Sequence, residues 1–341
     1  MKKLFKTHET YVALTVIALC LVIGIINPVF FSAPNIVNLF RNATVNGIMA
    51  FALMMGIIIG GIDVAFPAVA VCSMYLTTKT LESMGYDGPV FIPILAAALI
   101  GTLLGLINGL IITKFDLPAF IVTLGTSSLY HGLLVWLVGS KPVNRLEPPL
   151  EAFGKMEIFR VTNDTTSAAL PWTFVFMVAM ALVVWFILNK TMLGRTIFAI
   201  GGDRTSAERA GYPVKRTIVF TYTFIGMAGG LAGIIHAIQS QMCIPTDLMG
   251  CEMMIIAAVV LGGTTISGGR GTVLGTCLGL AVITIAKNSL ILVGITATWQ
   301  RFVLGLIIVI GTAVSAYQAL RASRKIAPVM TEEEEGGVVN G

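Results

Sequence analysis

The chain has 341 residues, of which 56% are hydrophobic and only 11% charged, with a formal net charge of +5. Soluble domains carry about a quarter charged residues, so this chain has too little charge to coat a water-facing surface, and lipid is its expected solvent. The composition argues against a soluble enzyme. No basic stripe with interleaved aromatics points to nucleic acid, and the positive balance fits basic residues gathered in the inner loops of a membrane protein.

Lys2, Lys3 and Lys6 precede a first apolar run, residues 11–26. The following NPVFFSAPN offers no small-x-small cleavage site, so the run reads as an uncleaved span with its N-terminus inside. Polar residues 35–41 read as an outer amphipathic entry. From 43 to 75 the only charge is Asp63. One helix of that length would reach about 50 Å at ~1.5 Å per residue, too long for a ~30 Å hydrocarbon core. Gly60, Gly61 and Pro67 supply the break, giving spans at 43–60 and 64–80.

A short outer loop leads to span 90–113, where Gly101, Gly105 and Gly109 recur every fourth residue. That spacing admits a second helix at close range. Lys114 to Asp116 make an inner turn before span 118–139. Residues 140–170 are polar and charge-balanced, which fits the outer side, and span 171–188 follows.

Residues 189–216 form the longest polar interruption before the tail. Lys190, Arg195, Arg204, Arg209, Lys215 and Arg216 outnumber Asp203 and Glu208, so this loop is expected inside. Within it, 196–200 is apolar and Gly201-Gly202 turns. Residues 203–210 can form a short helix capped by Asp203 or Thr205, with Arg204 and Glu208 at i,i+4. Gly211 ends it and Pro213 prevents its continuation. Ala207 and Ala210 give that helix a small apolar face of the kind that docks into another protein's groove.

Span 217–238 is glycine-rich, and 239–252 returns outside. The apolar stretch 253–263 is short for a span. It runs into a glycine-rich turn of Gly262, Gly263, Ser267, Gly268, Gly269 and Gly271, the pattern of a discontinuous or re-entrant element. Spans 272–293 and 299–320 follow, and Arg321, Arg324 and Lys325 close on the inside. The expectation is an all-α polytopic membrane protein. It has about ten transmembrane helices, one or two of them broken or re-entrant, in a single domain of residues 1–325 with both termini cytoplasmic. Residues 326–341, with Glu332 to Glu335, read as a short disordered acidic tail.

The chain has no G-x-x-x-x-G-K-[ST] phosphate loop, so any ATP-derived energy must arrive from another chain. No cofactor or metal is expected in this one. Cys20, Cys72, Cys243, Cys251 and Cys277 read as small hydrophobes, with a Cys243–Cys251 bridge as the alternative. His8, His131 and His236 are far apart, and hydrogen-bonded structural roles suit the two within spans. Asp63 has two compatible readings. It lines the path or fixes the broken turn, or its oxygen caps the following helix. Lys287 is expected to snorkel, with lining a pore as the alternative, and Trp172 and Trp299 to anchor at outer boundaries.

Several of these stretches together carry a resemblance. Gly194-Arg195, Ala199-Ile200-Gly201-Gly202, Ala207 and Gly211 resemble the cytoplasmic signature of permease subunits of ribose/xylose/galactose-type ABC importers, a family that also includes autoinducer-2 importer permeases. Glu252 followed by IIAAVVLGGTTISGGRGTVLGT (255–276) resembles its second signature. Gly60-Gly61-Ile62-Asp63 and LPAFIVTLGT (117–126) add two more. The resemblance runs from about residue 35 to 320.

It implies a bacterial cytoplasmic-membrane permease for a monosaccharide or sugar-like solute. The implied partners are a cytoplasmic ABC ATPase, an extracytoplasmic solute-binding protein and a second permease subunit, identical or related. ATPase coupling would fall on Gly194, Arg195, Gly201, Gly202, Ala207 and Gly211. The path or gate would involve Gly60, Gly61, Asp63, Phe66 and Glu252. One departure stands out: Val64-Ala65-Phe66-Pro67 occupies the place where family members often carry Leu-Ser-Val-Gly. That stiffens the turn and leaves the substrate open. The alternative, an ion-coupled secondary transporter, needs acidic or polar groups near the midplane, and Asp63 is nearly the sole candidate.

Overall fold

The computed structural model describes residues 8–163 and 166–292 and a few single positions between 294 and 309. The expected span 299–320 and the tail 326–341 fall essentially outside the described residues. Among those described, six helices are long and apolar enough to cross a membrane. They are α1 (His8–Ile26), α2 (Ala33–Ile58), α4 (Phe91–Phe115), α5 (Ala119–Leu137), α10 (Val214–Ser240) and α12 (Val273–Leu292). Three further expected spans are also helical, in the expected order, as α3 (Phe66–Met84), α7 (Phe174–Lys190) and α11 (Glu252–Leu261). The last of these has only 10 residues. Between α7 and α10 lie α8 (Met192–Gly202) and α9 (Arg204–Arg209). The α7–α8 pair meets the same apolar criterion together but is bent by 76°.

Residues 35–41 are not a separate entry element; they belong to α2. Ser32 caps that helix, its hydroxyl accepting from Asn35 N–H at 3.4 Å, and Pro34 sits in the first turn. Asn35, Asn38, Arg41 and Asn42 recur at helical spacing, so one polar stripe runs along the start of an otherwise apolar helix.

Residues 140–170 also depart from an all-α expectation. They hold α6 (Pro148–Gly154) and an antiparallel hairpin that ends at Pro171, β1 (Glu157–Thr162) with β2 (Ser167–Pro171). The hairpin carries a one-sided pattern: Ala168 and Leu170 are buried against Val37 of α2. Charged residues elsewhere in the segment hide that alternation from a reading based on composition.

The centre is α2, α3 and α10, where Phe51, Met54, Phe66, Tyr75 and Tyr222 are fully buried. Helices α4, α5 and α7 present Leu99, Leu103, Trp136 and Phe186 outward, as a bundle solvated by lipid requires. The α4–α10 seam answers the question raised by the glycine spacing. A Cβ at Gly101 would stand 2.2 Å from the Gly226 carbonyl oxygen, and one at Gly105 would stand 2.4 Å from that of Tyr222. Neither site has room for any side chain, so the two backbones touch along the seam.

The breaks and loops sort to two ends. At one end Arg204 meets Asp116 at 2.7 Å, and Gly269 N–H donates to the Ile58 carbonyl at 2.8 Å. Thr272 and Glu9 are joined at 2.6 Å there as well, which puts the start of α1 at the same end as α8 and α9. At the other end Val143 pairs with Cys243, Tyr75 donates to the Lys141 carbonyl, and Asn27 donates to that of Leu292. All five cysteines are free, so the Cys243–Cys251 bridge is not formed.

Candidate functional site

Three glycine stretches far apart in sequence meet at the end of α2. The helix stops at Ile58, and Gly60 takes φ +87°, a left-handed conformation that glycine accepts without strain. The turn after α11 folds over this end. Gly268 and Gly269 are left-handed at φ +90° and +77°, and Gly269 N–H caps the Ile58 carbonyl. From the third side Gly201 of α8 comes so close that a Cβ there would lie 1.7 Å from Ile58 O and 2.4 Å from Gly269 N. A Cβ at Gly271 would meet the Ile58 side chain at 2.9 Å, and one at Gly60 would meet the Ser267 carbonyl at 3.6 Å. A Cβ at Gly262 would strike Gly275 O of α12 at 2.3 Å. Gly263, left-handed at φ +96°, starts the turn.

The break itself is braced from two helices. Asp63 is 2% exposed, and its Oδ1 accepts from Ala65 N–H at 2.6 Å. Ala65 stands at the N-cap of α3, which has no side-chain cap, so this bond closes the turn before the helix rather than capping it. Thr123 of α5 accepts from Val64 N–H at 3.2 Å and donates to the Ala119 carbonyl at 2.9 Å. Tyr222 of α10 places its hydroxyl 2.3 Å from where a Gly61 Cβ would stand. Phe66 is buried in the core. Glu252 opens α11, half-buried.

The α8–α9 segment is folded as two short helices with a corner at Asp203. Thr191 caps α8 by accepting from Gly194 N–H at 3.2 Å. Gly194 fits a tight bend, where its Cβ would be 2.4 Å from the carbonyls of Ile187 and Leu188. Gly201 and Gly202 complete α8 rather than forming a free turn. Asp203 caps α9, accepting from the Ser206 hydroxyl and from Thr205 N–H, and these bonds hold its carboxyl below the ordinary value. Gly211, at φ +82°, stops the helix. Ala207 is buried at 3%, packed with Ile112, Val122, Ile200 and Tyr222 of its own chain. Ala207 thus seats the helix, whereas Ala210, Arg195, Gly202, Glu208 and Arg209 are exposed.

At the opposite end lies a cavity of about 450 Å³ between α2, α10 and α12. Arg41, Asn42 and Asn46 come from α2, His236 and Gln239 from α10, and Thr284, Lys287 and Asn288 from α12. Asp247 reaches it from the loop before α11 and contacts His236 Nε2 at 2.6 Å. Asn42 donates to Asn288 at 3.1 Å. Sequence reasoning missed this site, because each polar residue has an ordinary explanation when taken singly. None of Gly60, Gly61, Asp63, Phe66 or Glu252 lines it.

A family model described as branched-chain amino acid transport system / permease component matches residues 35–311. The chain belongs to this permease family. The permease is 33% identical over 312 residues to the ribose import permease protein of Haemophilus influenzae, covering 91% of this chain and 93% of that one. It is 36% identical over 296 residues to the ribose import permease protein of Bacillus subtilis, covering 86% and 88%. It is 29% identical over 309 residues to the autoinducer 2 import system permease protein of Klebsiella pneumoniae, covering 90% and 86%. No solved structure matches the permease.

Proposed function

We propose that this chain is the membrane-spanning subunit of an ABC importer, forming the path by which a monosaccharide or sugar-like solute crosses the bacterial cytoplasmic membrane. The solute class rests on relatives named for ribose and autoinducer 2. The working assembly contains a second permease subunit, a cytoplasmic ATPase and an extracytoplasmic binding protein. In this reading the chain crosses about ten times with both termini inside, and the basic end that carries α8, α9 and Arg270 is cytoplasmic.

The observation that carries the proposal is the backbone contact of Gly201 with Ile58 and Gly269. The ATPase meets the outward-facing Arg195, Gly202, Glu208 and Arg209, while Gly194, Ala207 and Gly211 fix the geometry of the two short helices. Movement of α8 is passed to the end of α2, and from there to the Gly60–Asp63 break and the start of α3. Phe66 and Glu252 belong to the elements that shift. ATP binding at the partner supplies the differential affinity that a shift between inward- and outward-open states requires.

The test is reconstitution in liposomes with the cognate ATPase and binding protein. Uptake that requires internal ATP, the ATPase and the binding protein supports the assignment. Uptake by the chain alone under a proton or sodium gradient overturns it in favour of secondary transport.

A further inference from the structure

The cavity between α2, α10 and α12 holds two cations without a carboxylate partner among the described residues. Arg41 makes one long hydrogen bond, to the Gln239 carbonyl at 3.4 Å, and Lys287 is exposed with no hydrogen bond or ion pair. The single carboxylate lining the cavity, Asp247, is already engaged by His236. Glu252 follows a lining residue, Cys251, but does not itself line the space.

A second observation is independent of charge. Thr284 lines the cavity, is 7% exposed, and its hydroxyl has no partner among the described residues. Helical threonines ordinarily return their hydroxyl to the carbonyl one turn back, as Thr44, Thr221 and Thr223 do here. A buried hydroxyl without a partner is unfavourable unless something else fills the gap. The volume of about 450 Å³ falls in the range of small-molecule sites, about 300–1,000 Å³.

The residue types divide into two sets. A guanidinium presents a planar fork that matches a carboxylate or phosphate, and an ammonium adds a mobile point charge. The amides of Asn46 and Asn288 and the Thr284 hydroxyl each donate and accept, as sugar hydroxyls do. The cavity lies about 25 Å along α2 from Ile58 at ~1.5 Å per residue, well away from the α8 contact.

We infer that this cavity receives a solute with an anionic group, carboxylate or phosphate, on a hydroxyl-bearing carbon chain, the charge held by Arg41 and Lys287 and the hydroxyls by Thr284 and the amides. The inference deepens the permease reading by naming a substrate class for its outward end. A phospholipid headgroup offers similar chemistry, and the test separates the two.

The full chain is placed in phosphatidylcholine nanodiscs, and binding of ribonate, ribose 5-phosphate and ribose is followed by ligand-observed NMR. At least one anionic probe should bind tenfold or more tightly than ribose. Arg41→Gln and Lys287→Gln should each abolish that advantage, Lys287→Arg should retain it, and Thr284→Val should weaken binding severalfold. Equal binding of charged and neutral probes, or indifference to both glutamine variants, overturns the inference. So does retention of phosphatidylglycerol by the unsubstituted chain, lost in the glutamine variants and not displaced by the soluble anions. ATP-driven uptake by the complete complex reports separately on the permease assignment, so one reading can fail without the other.

Discussion

Replacing Gly201 by alanine tests whether α8 and α2 work as one unit. The new Cβ would lie 1.7 Å from Ile58 O, against the 3.0 Å below which such contacts are essentially never found, so the backbones must part by roughly 1.3 Å. Both obstacles, Ile58 O and Gly269 N, are main-chain atoms, and no rotamer change can relieve the clash. The Gly269 N–H bond to Ile58, at 2.8 Å, sits in the same contact. Overpacking costs about 1–3 kcal/mol, and an orphaned buried hydrogen-bonding group about 1–3 kcal/mol more. Alanine's better helix propensity returns up to about 1 kcal/mol, so the steric effect wins. Even a net ~2 kcal/mol shifts the docked-to-undocked ratio roughly 30-fold.

Gly132→Ala in α5 is the control, since among the described residues nothing stands within 4 Å of its Cβ. In ATP-driven uptake by reconstituted complexes, Gly201→Ala should fall at least tenfold and Gly132→Ala should match the unsubstituted protein. The melting midpoint in detergent should drop only for the first. Equal transport by the two variants refutes the reasoning.

The α4–α10 seam makes a parallel case: Gly226→Ala puts a Cβ 2.3 Å from Gly101 O and should lower the melting midpoint by an amount equivalent to about 1–3 kcal/mol, whereas Gly132→Ala, with open space around it, should not. Asp63→Asn keeps an acceptor for Ala65 N–H and should preserve stability in a denaturation series, while Asp63→Leu should cost about 1–2 kcal/mol. Asp203 has its folded carboxyl pKa lowered by the Ser206 hydroxyl and Thr205 N–H, so the stability it gives α9 is complete above the ordinary aspartate value, about 3.9, and is lost as pH falls through the lower folded value. Protection of the Thr205 amide, its exchange taken relative to the intrinsic rate at each pH, should therefore fall on acidification in that window, and Asp203→Asn should remove most of the dependence.

The apolar runs located the helices because period and length survive any tertiary arrangement. The local stop signals were equally readable: Asp203 caps and Gly211 ends α9 as expected, since both effects act within a turn. Residues 35–41 read as a separate amphipathic entry because polarity marks a boundary in composition, whereas the helix continues through them and simply carries a polar stripe. The hairpin at 157–171 was lost among charges. Neither candidate site could be seen whole. Gly60, Gly201 and Gly269 are separated by more than fifty residues at each step, as are Arg41, His236 and Lys287, and only the packing of α2 against its neighbours brings each set together. Ala207 was legible as part of a small face with Ala210, but not as the one of the two that packs inward while the other stays exposed.

The junction at Ile58 joins main chain to main chain. Where side chains mediate a contact, rotamer changes absorb small displacements. Here Gly201 carries no side chain and Ile58 offers its main-chain carbonyl, so a shift of α8 by a few tenths of an ångström has nowhere to dissipate before it reaches α2. The polypeptide has a stiff joint between segments more than a hundred residues apart, and its tolerance is set by the thickness of two bare backbones.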